Sequence, residues 1–232
     1  MDTEFGFCPL ALTGDVIGDR WTLLILRELM LDNTRFNEIA RGLPGISRSL
    51  LVQRLKHLER KGVIDAWPLP GGRGSSYHLT PAGKDLYDIL INMGRWAVTW
   101  LYDQIDPSAA DAETIMWWMH RRIDAATVPV ERVTVQFDHT TPERRSYWMV
   151  FERRSASVCM ADPGFPVDAV VTCPTVELGR VFSGHSTWAT AVRTAAIDVH
   201  GRRDVVRALP TWFAWSPWSP DVAERALALA RR

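Results

Sequence analysis

The stretch that decides the fold of the first half of this chain is RFNEIARGLPGISRSLLVQRLKHLERK, residues 35–61. It predicts two short helices separated by a break at Leu43-Pro44-Gly45. Three side chains of the second helix recur at i, i+4 and i+7 and therefore predict a stripe that faces a core: Leu51, Leu55 and Leu58. Ser47 is predicted to cap this helix, since its hydroxyl can accept a hydrogen bond from a free backbone N–H group of the first turn.

The outward face of this second helix is polar and basic. Four side chains lie opposite the leucines and two more lie on the flanks: Ser49, Gln53, Lys56, Arg60, Arg48 and His57. A helix that buries leucines and presents Ser, Gln, Arg and Lys outward suits the major groove of DNA. The alternative is a solvated amphipathic helix without a ligand.

An interrupted hairpin follows the helix. Residues 63–67 and 76–79 alternate in the manner of strands around a turn rich in Gly and Pro, residues 68–75, with Arg73 at its tip. A winged helix lays a turn of this kind against the sugar-phosphate backbone or into the minor groove. Helix, break, basic helix and Arg-tipped hairpin in this order form a specific pattern for DNA binding.

Residues 8–101 resemble the HxlR-type winged helix-turn-helix family of bacterial transcription regulators. Five segments carry the resemblance, in this order: Cys8-Pro9, Ile17 to Leu29, Arg35 to Ile39, Gly45 to Arg48, and Tyr77 to Gly83. The resemblance implies a homodimer bound to double-stranded operator DNA, with repression as the expected activity. The wing departs from the family pattern, because Gly-Gly-Arg-Gly-Ser-Ser-Tyr stands where members often carry a Pro-rich, Arg-Val-Glu-Tyr-like sequence.

Nine residues are predicted to contact DNA: Ser47, Arg48, Ser49, Gln53, Arg54, Lys56, His57, Arg73 and Ser75. The helix residues are expected to read base edges and nearby phosphates, and the two wing residues to touch the backbone. Arg54 lies nearer the leucine stripe, so it is expected at a phosphate or in a structural ion pair. The charge distribution favours this assignment: eight Lys and Arg stand against two acids from Arg41 to Lys84, although the net charge of the chain is zero.

Two long helices flank these elements. The first is predicted over residues 14–31, and the second opens at Thr80-Pro81, an N-cap followed by a proline. The second helix carries an apolar stripe that is too long for a small winged domain to cover: Leu86, Leu90, Met93, Trp96 and Trp100. We expect the surplus of this stripe to pack on a second subunit. The alternative is that the stripe packs on the C-terminal domain.

The second half of the chain has a different pattern. A linker is predicted at residues 106–111, between a first domain at residues 1–105 and a second at residues 112–232. After one helix the period changes to two, and four strands, two helices, a strand and a further helix follow. This order resembles the sterol-carrier-protein-2-like fold, an α/β domain with a mixed curved sheet, and the matching positions are Asp168 to Thr172, Leu178, Phe182, Gly184 and Ile197 to Gly201. The fold class predicted for the whole chain is therefore α+β.

The resemblance to sterol-carrier protein 2 implies a cavity under the sheet that can hold an apolar molecule. Trp and Phe side chains of this half are candidates for its lining, since they offer large flat faces and Trp adds one N–H donor. The candidates are Trp117, Trp118, Phe137, Trp148, Phe151, Phe182, Trp188, Trp212 and Phe213. The alternative is that they fill the core or an interface. No cofactor is expected beyond an apolar effector of unknown identity.

Three widely spaced cysteines, Cys8, Cys159 and Cys173, show neither CxxC nor metal-ligand spacing, which indicates a reducing compartment. Cys8 precedes the first helix and is either a sensor of oxidants or electrophiles, as in some regulators of the resembling family, or a small buried apolar residue. The N-terminus, MDTEFG, lacks a hydrophobic signal core, and the longest apolar run is too short to span a bilayer. A cytoplasmic protein without membrane contact is therefore expected.

Motifs for catalysis and metal binding are missing from the sequence. The six histidines show no zinc-site spacing, no G-x-S-x-G elbow is present, and the glycines at 71–74 lack a strand-to-helix context. We therefore expect neither an enzyme nor a metal site. Three functions stay open: a DNA-binding regulator with a ligand-sensing C-terminal domain, a lipid or small-molecule carrier whose winged domain is an interaction module, and a regulator switched by the Cys8 thiol.

Overall fold

The computed structural model describes residues 7–231. Its contacts group the chain into two compact units, one ending at Asn92 and the other beginning at Met93. The segment at 106–111, predicted as a linker, therefore belongs to the second unit. The N-terminal hexapeptide, on which the predicted absence of a signal segment partly rests, lies outside the described residues. None of the helices within residues 7–231 is long and apolar enough to cross a bilayer.

The described part of the first unit contains helices followed by a hairpin and the start of a long helix. The elements are α1 Pro9–Ile17, α2 Arg20–Met30, α3 Phe36–Arg41, α4 Arg48–Arg60, β1 Ile64–Pro68, β2 Ser75–Leu79 and the beginning of α5 Pro81–Trp100. Both strands lie within one residue of their predicted bounds, and α3 and α4 flank the predicted break. The winged helix-turn-helix predicted for this half is thus confirmed.

Two helices replace the single helix predicted over residues 14–31. α1 ends at Ile17, and Asp19 caps α2, because its Oδ1 accepts hydrogen bonds from the backbone N–H groups of Trp21 at 2.9 Å and Thr22 at 3.3 Å. The prediction of one helix was wrong because it ran through Gly18-Asp19, where the C-cap of α1 is followed by the N-cap of α2. The cap at Asp19 was the local signal that marked the second start.

The leucine stripe predicted for α4 is confirmed. Leu51, Leu55 and Leu58 are at most 1% exposed, and they share one core with residues of α2 and α3 such as Ile25 and Ile39. Each buried leucine contributes about 1.5–3 kcal/mol relative to an exposed one. This burial fixes which face of α4 points outward.

A buried carboxylate joins α2 to the end of α3. The Glu28 side chain is fully buried, and it accepts hydrogen bonds from Arg27 Nη2 at 2.7 Å and from Asn33 Nδ2 at 2.7 Å. Arg27 Nη2 also donates to the carbonyl oxygen of Gly42 at 3.1 Å. A buried charge without partners is strongly unfavourable, so the Glu28 carboxylate requires these hydrogen bonds in its buried position.

The wing is an antiparallel hairpin with a third short segment beside it. β1 pairs with β2 so that Ile64 faces Leu79 and Asp65 faces His78. The backbone N–H of Tyr77 donates to the Thr34 carbonyl at 2.7 Å, and an isolated bridge joins Arg35 to Ser76. The segment before α3 therefore holds the wing and the helix-turn-helix in one unit.

The described part of the second unit contains the end of α5, then 3-10 turns, helices and a sheet. The elements are α6 Ala112–Arg121, β3 Val133–His139, β4 Arg145–Glu152, β5 Ser155–Cys159, β6 Ala169–Cys173, α7 Thr175–Ser183, α8 Trp188–Arg193, β7 Asp198–Gly201, α9 Arg203–Ala208 and α10 Ser219–Ala230, with 3-10 turns at Tyr102–Gln104, Pro107–Ala109 and Leu209–Trp212. This is the predicted order of strands and helices.

The strands of the second unit form a mixed sheet with the order β5-β4-β3-β6-β7. β3 and β6 are parallel, and the other neighbouring pairs are antiparallel. The predicted α+β class and mixed sheet are confirmed by this topology. The relationship to sterol-carrier protein 2 stays a prediction.

One face of this sheet packs against helices. Val133, Val135 and Phe137 of β3 are at most 3% exposed and share a core with α6 residues such as Ile115 and Met119. His139, on the same face, is 1% exposed, and its Nδ1 forms a 2.9 Å hydrogen bond with the Thr175 hydroxyl. Burial lowers the pKa of His139 from 6.5 to about 4, so this histidine is uncharged at neutral pH.

Replacing Gly42 with Ala is expected to destabilise the first unit by about 1–3 kcal/mol, because an added Cβ would overlap the Glu28 carboxylate, which cannot move without losing its partners. Gly14→Ala is the matched control, since a Cβ there meets nothing within 4 Å and alanine favours the helix by about 0.5–1 kcal/mol. Urea unfolding followed by circular dichroism measures both. Equal unfolding midpoints for the two variants would show that the Glu28 network imposes no constraint.

Candidate nucleic-acid interface

The outward face of α4 begins at its N-cap. The Ser47 hydroxyl accepts a hydrogen bond from the backbone N–H of Leu50 at 3.2 Å and lies 3.2 Å from the Ser49 hydroxyl. The predicted cap is therefore confirmed. The structure brings four predicted contact residues to one exposed face of this unit: Ser47, Ser49, Gln53 and Lys56.

Arg48 is exposed but positioned against α3. Its Nη2 donates to Asn37 Oδ1 at 2.9 Å, and its guanidinium carbon lies 5.5 Å from the centre of the Phe36 ring. These contacts restrict the side chain while leaving other N–H donors of the guanidinium available for a phosphate. Asn37, which sequence reasoning missed, is thus a positioning residue of the candidate interface.

Arg54 takes one of the two roles expected for it. Its Nη2 lies 2.8 Å from Asp19 Oδ2, and the two side chains are 27% and 34% exposed. Asp19 therefore caps α2 with one carboxylate oxygen and pairs with α4 through the other.

His57 also contacts the body of the unit. Its Nε2 lies 3.0 Å from the carbonyl oxygen of Asp15, near the end of α1. Arg54 and His57 thus link α4 to α1 and α2, although both were predicted as contacts to DNA. Their partners are 35 and 42 residues away in sequence, so no local pattern could identify them.

The wing presents Arg73 at an exposed turn. The turn is closed by a 3.0 Å hydrogen bond from the Leu69 N–H to the Gly74 carbonyl, and Gly71, Gly72 and Gly74 all have positive φ. This backbone conformation favours glycine, which explains the glycine-rich wing sequence. Ser75, predicted with Arg73, opens β2 and is half-buried.

The apolar stripe of α5 is partly buried and partly exposed. Leu86 and Leu90 are partly buried against the core of the first unit. Met93, Trp96 and Trp100 are 45%, 59% and 71% exposed. A continuous row of large apolar side chains on one helix face thus remains in contact with water.

The opposite side of the same helix packs within the second unit. A Cβ added at Gly94 would overlap the Trp218 indole, and Arg95 Nε lies 3.4 Å from Asp221 Oδ1. The C-terminal part of the chain therefore occupies the Gly94 side of α5 and leaves the Met93, Trp96 and Trp100 side exposed. This observation argues against the alternative in which the C-terminal domain covers the stripe.

The aromatic residues predicted to line a ligand pocket do not all lie together. Five of them are at most 6% exposed and belong to or adjoin the packed core: Trp117, Phe137, Phe151, Trp212 and Phe213. Three more are partly buried at its edge: Trp118, Phe182 and Trp188. Trp148 alternates with the buried Tyr147 and Met149 along β4, so it lies on the other sheet face.

The cysteines are free thiols in different surroundings. Cys8 occupies the N-cap position of α1 and is half-buried, and Cys159 is half-buried in β5. Cys173 is buried, which raises the pKa of its thiol from 9.0 to about 12 and makes it unreactive at neutral pH. Across residues 7–231, no group of three or more His, Cys, Asp or Glu side chains could hold a metal ion.

Comparison with known proteins identifies the first half of the chain. The HxlR-like helix-turn-helix family model matches residues 16–105. An uncharacterized HTH-type transcriptional regulator of Bacillus subtilis, YvaP, is 39% identical over 98 residues, which are 42% of this chain and 87% of YvaP. This chain belongs to the HxlR-like helix-turn-helix family.

Two further proteins align over a similar share of this chain, 38% and 40%. An uncharacterized HTH-type transcriptional regulator of Mycobacterium tuberculosis, Rv3095, is 39% identical over 88 residues, which are 38% of this chain and 55% of Rv3095. The reduced form of the transcriptional regulator YodB from B. subtilis is a solved structure with 34% identity, covering 40% of this chain and 93% of YodB with a TM-score of 0.36. The family match ends at residue 105, ahead of the sheet in the second unit.

Asp19→Ala is expected to lower the free energy of unfolding by about 1–2 kcal/mol, because it removes the α2 cap and the partner of Arg54 together. Asp15→Ala is the matched control, since Asp15 contacts His57 through its backbone carbonyl only, and a change within about 0.5 kcal/mol is expected. Urea titrations at pH 7 measure both. If Asp15→Ala lowers the free energy of unfolding as much as Asp19→Ala does, the stabilising role given to the Asp19 side chain is contradicted.

Proposed function

We propose that this HxlR-like protein is a cytoplasmic transcription regulator, a repressor, that binds double-stranded operator DNA as a homodimer. The observation that carries the proposal is the geometry of α4, which buries its leucines and presents Ser49, Gln53 and Lys56 outward. An exposed helix of this composition fits the major groove. The names of the relatives, HTH-type transcriptional regulators, support the same function.

Electrostatics supports the DNA-binding half of the proposal. Arg54 is neutralised by Asp19, but Lys56, Arg60, Lys61 and Arg73 are exposed in or beside α4 and the wing. Phosphate neutralisation by such cations releases counterions and dominates affinity for duplex DNA. The rival function, a carrier whose winged domain binds only proteins, predicts no binding to random duplex DNA at low salt.

Gln53→Ala and Lys56→Ala are expected to separate base reading from phosphate contact. An operator is first selected from random duplexes with the unchanged protein. Gln53→Ala should then lose about 1–3 kcal/mol of discrimination at one base step. Lys56→Ala should weaken binding to all sequences. It should also reduce the slope of log affinity against log salt concentration by about 0.9 in magnitude.

Fluorescence anisotropy at several salt concentrations measures both effects. Gln104→Ala, an exposed glutamine outside α4 and the wing, serves as the control and should leave both quantities unchanged. If Gln53→Ala weakens all sequences equally, Gln53 does not read a base.

The homodimer is proposed from the exposed side of α5. Met93, Trp96 and Trp100 repeat at i, i+3 and i+7, and Ile89, four residues before Met93, is 43% exposed. Aligned apolar side chains of this size on one helix are typical of a face that packs on another helix. A twofold pairing there would produce two copies of α4 for a symmetric operator, whose half-sites lie about 34 Å apart.

Native mass spectrometry is expected to find a dimer, and Met93→Glu combined with Trp100→Glu is expected to weaken it at least 100-fold, because two carboxylates would lose their hydration in the interface. Met160→Glu is the control, since Met160 is 55% exposed in the second unit and should leave the dimer intact. If the dissociation constant of the dimer is unchanged in the double variant, the interface lies elsewhere.

For the second unit we propose binding of an apolar small molecule, as the resemblance to sterol-carrier protein 2 implies. The order of strands and helices supports this assignment. The same native spectrum tests it, since a retained molecule adds mass that is lost on denaturation. A bare dimer would instead favour the regulator switched by Cys8, whose thiol lies at the N-cap position of α1.

A further inference from the structure

The hairpin formed by β4 and β5 turns on two consecutive arginines, Arg153 and Arg154. Glu152 and Ser155 are the last paired residues on either side, so the turn contains these two arginines and no other residue. Both arginines have a left-handed backbone, with φ of 53° and 61°. A two-residue hairpin turn with positive φ at both positions is formed most readily by Asn-Gly. For a residue with a Cβ this conformation is unfavourable, so local backbone preference does not explain an Arg-Arg turn.

A neighbouring segment of the second unit holds the backbone of this turn. The Arg153 N–H donates to the Val130 carbonyl at 2.9 Å, and the Arg154 N–H donates to the Pro129 carbonyl at 3.4 Å. Val128, in the same segment, is 3% exposed and belongs to the core of the unit. The turn is therefore anchored next to the core, and tertiary contacts maintain its unfavourable backbone conformation. Backbone strain of this kind concentrates at functional sites, where it fixes the position of a side chain that acts there.

The charges near the turn are mostly those of arginine. Both side chains of the turn are exposed, and within the described part of the chain neither forms an ion pair. The adjacent carboxylate, Glu152, pairs instead with Arg132, whose Nη2 lies 3.0 Å from its Oε1. Glu131 is the other acid of the two segments and is exposed. Three guanidinium groups and two carboxylates leave a net charge of +1 here, and the arginines without an ion-pair partner are the two in the turn.

We propose that the Arg153-Arg154 turn binds the phosphate backbone of duplex DNA. Guanidinium groups donate paired N–H bonds to phosphate oxygens, and side chains on a fixed backbone lose less conformational freedom on binding. Duplex DNA is the polyanion favoured here, because binding through α4 raises the effective concentration of phosphate around the rest of the same chain. Contacts of this kind add affinity and carry no sequence information. The inference rests on the proposed DNA binding and gives the second unit a part in it.

Arg153→Asn combined with Arg154→Gly tests the proposal, because it removes both charges and supplies the sequence that the turn favours. The urea midpoint of unfolding should equal or exceed that of the unchanged protein. Affinity for random duplex DNA at low salt should fall about five- to thirtyfold, and the slope of log affinity against log salt concentration should fall by about 1.8 in magnitude, about 0.9 for each lost phosphate contact. Fluorescence anisotropy measures both quantities. Loss of affinity without loss of stability cannot result from misfolding.

Two further variants make the result specific to the turn. Arg144→Gln combined with Arg145→Gln removes two exposed arginines at the opposite end of β4, which lack the positive φ of the turn, and should leave affinity and salt slope unchanged. Equal losses from the two arginine pairs would show a general effect of net charge and overturn the proposal. Arg153→Lys combined with Arg154→Lys keeps both charges and should retain most of the salt slope. Loss of the slope in this variant also contradicts phosphate binding by the turn.

Failure of this inference can be told apart from failure of the proposed function. If the unchanged protein does not bind duplex DNA, the proposed function is wrong and the inference fails with it. If the unchanged protein binds, and Arg153→Asn combined with Arg154→Gly binds equally well with the same salt slope, only the assignment of the turn is overturned.

Discussion

The Glu28 carboxylate lies in the core of the first unit, where it must be compensated by charged or polar partners. Its hydrogen bonds from Arg27 and Asn33 fix the end of α2, and the same Arg27 reaches the Gly42 carbonyl at the end of α3. The turn into α4 starts directly after Gly42. The orientation of the outward face of α4 therefore depends on a buried ion pair and on the absence of a side chain at position 42.

The polar side chains of α4 divide into two groups with different physical roles. Arg54 and His57 contact α2 and α1, so the helix is held by polar contacts as well as by its leucines. Gln53 and Lys56 are exposed and face water. Arg48 lies between the two groups, since Asn37 orients it while its charge stays exposed. A rigid helix with a few exposed polar groups is what specific recognition of a base edge requires.

In the second unit, the alternation of the strands decides where the aromatic residues lie. Phe137 and Phe151 face the helices and contribute to a packed core, whereas Trp148 faces the other side of the sheet. An apolar ligand would therefore have to enter between core side chains that are already in contact, such as Phe151 and Trp212 with ring centres 4.8 Å apart. On α5, by contrast, Trp96 and Trp100 remain exposed and available to a second chain.

The sequence by itself determined the elements of this protein: the buried stripe and cap of α4, the hairpin with Arg73 in its turn, the family, and the order of strands and helices in the second half. These follow from periodicity and turn residues, which act over a few positions. The pairing of Arg54 with Asp19, the contact of His57 with the Asp15 carbonyl and the exposed side of α5 were decided by tertiary structure. Each of these depends on which distant segments meet, and local patterns carry no information about partners 35 or more residues away.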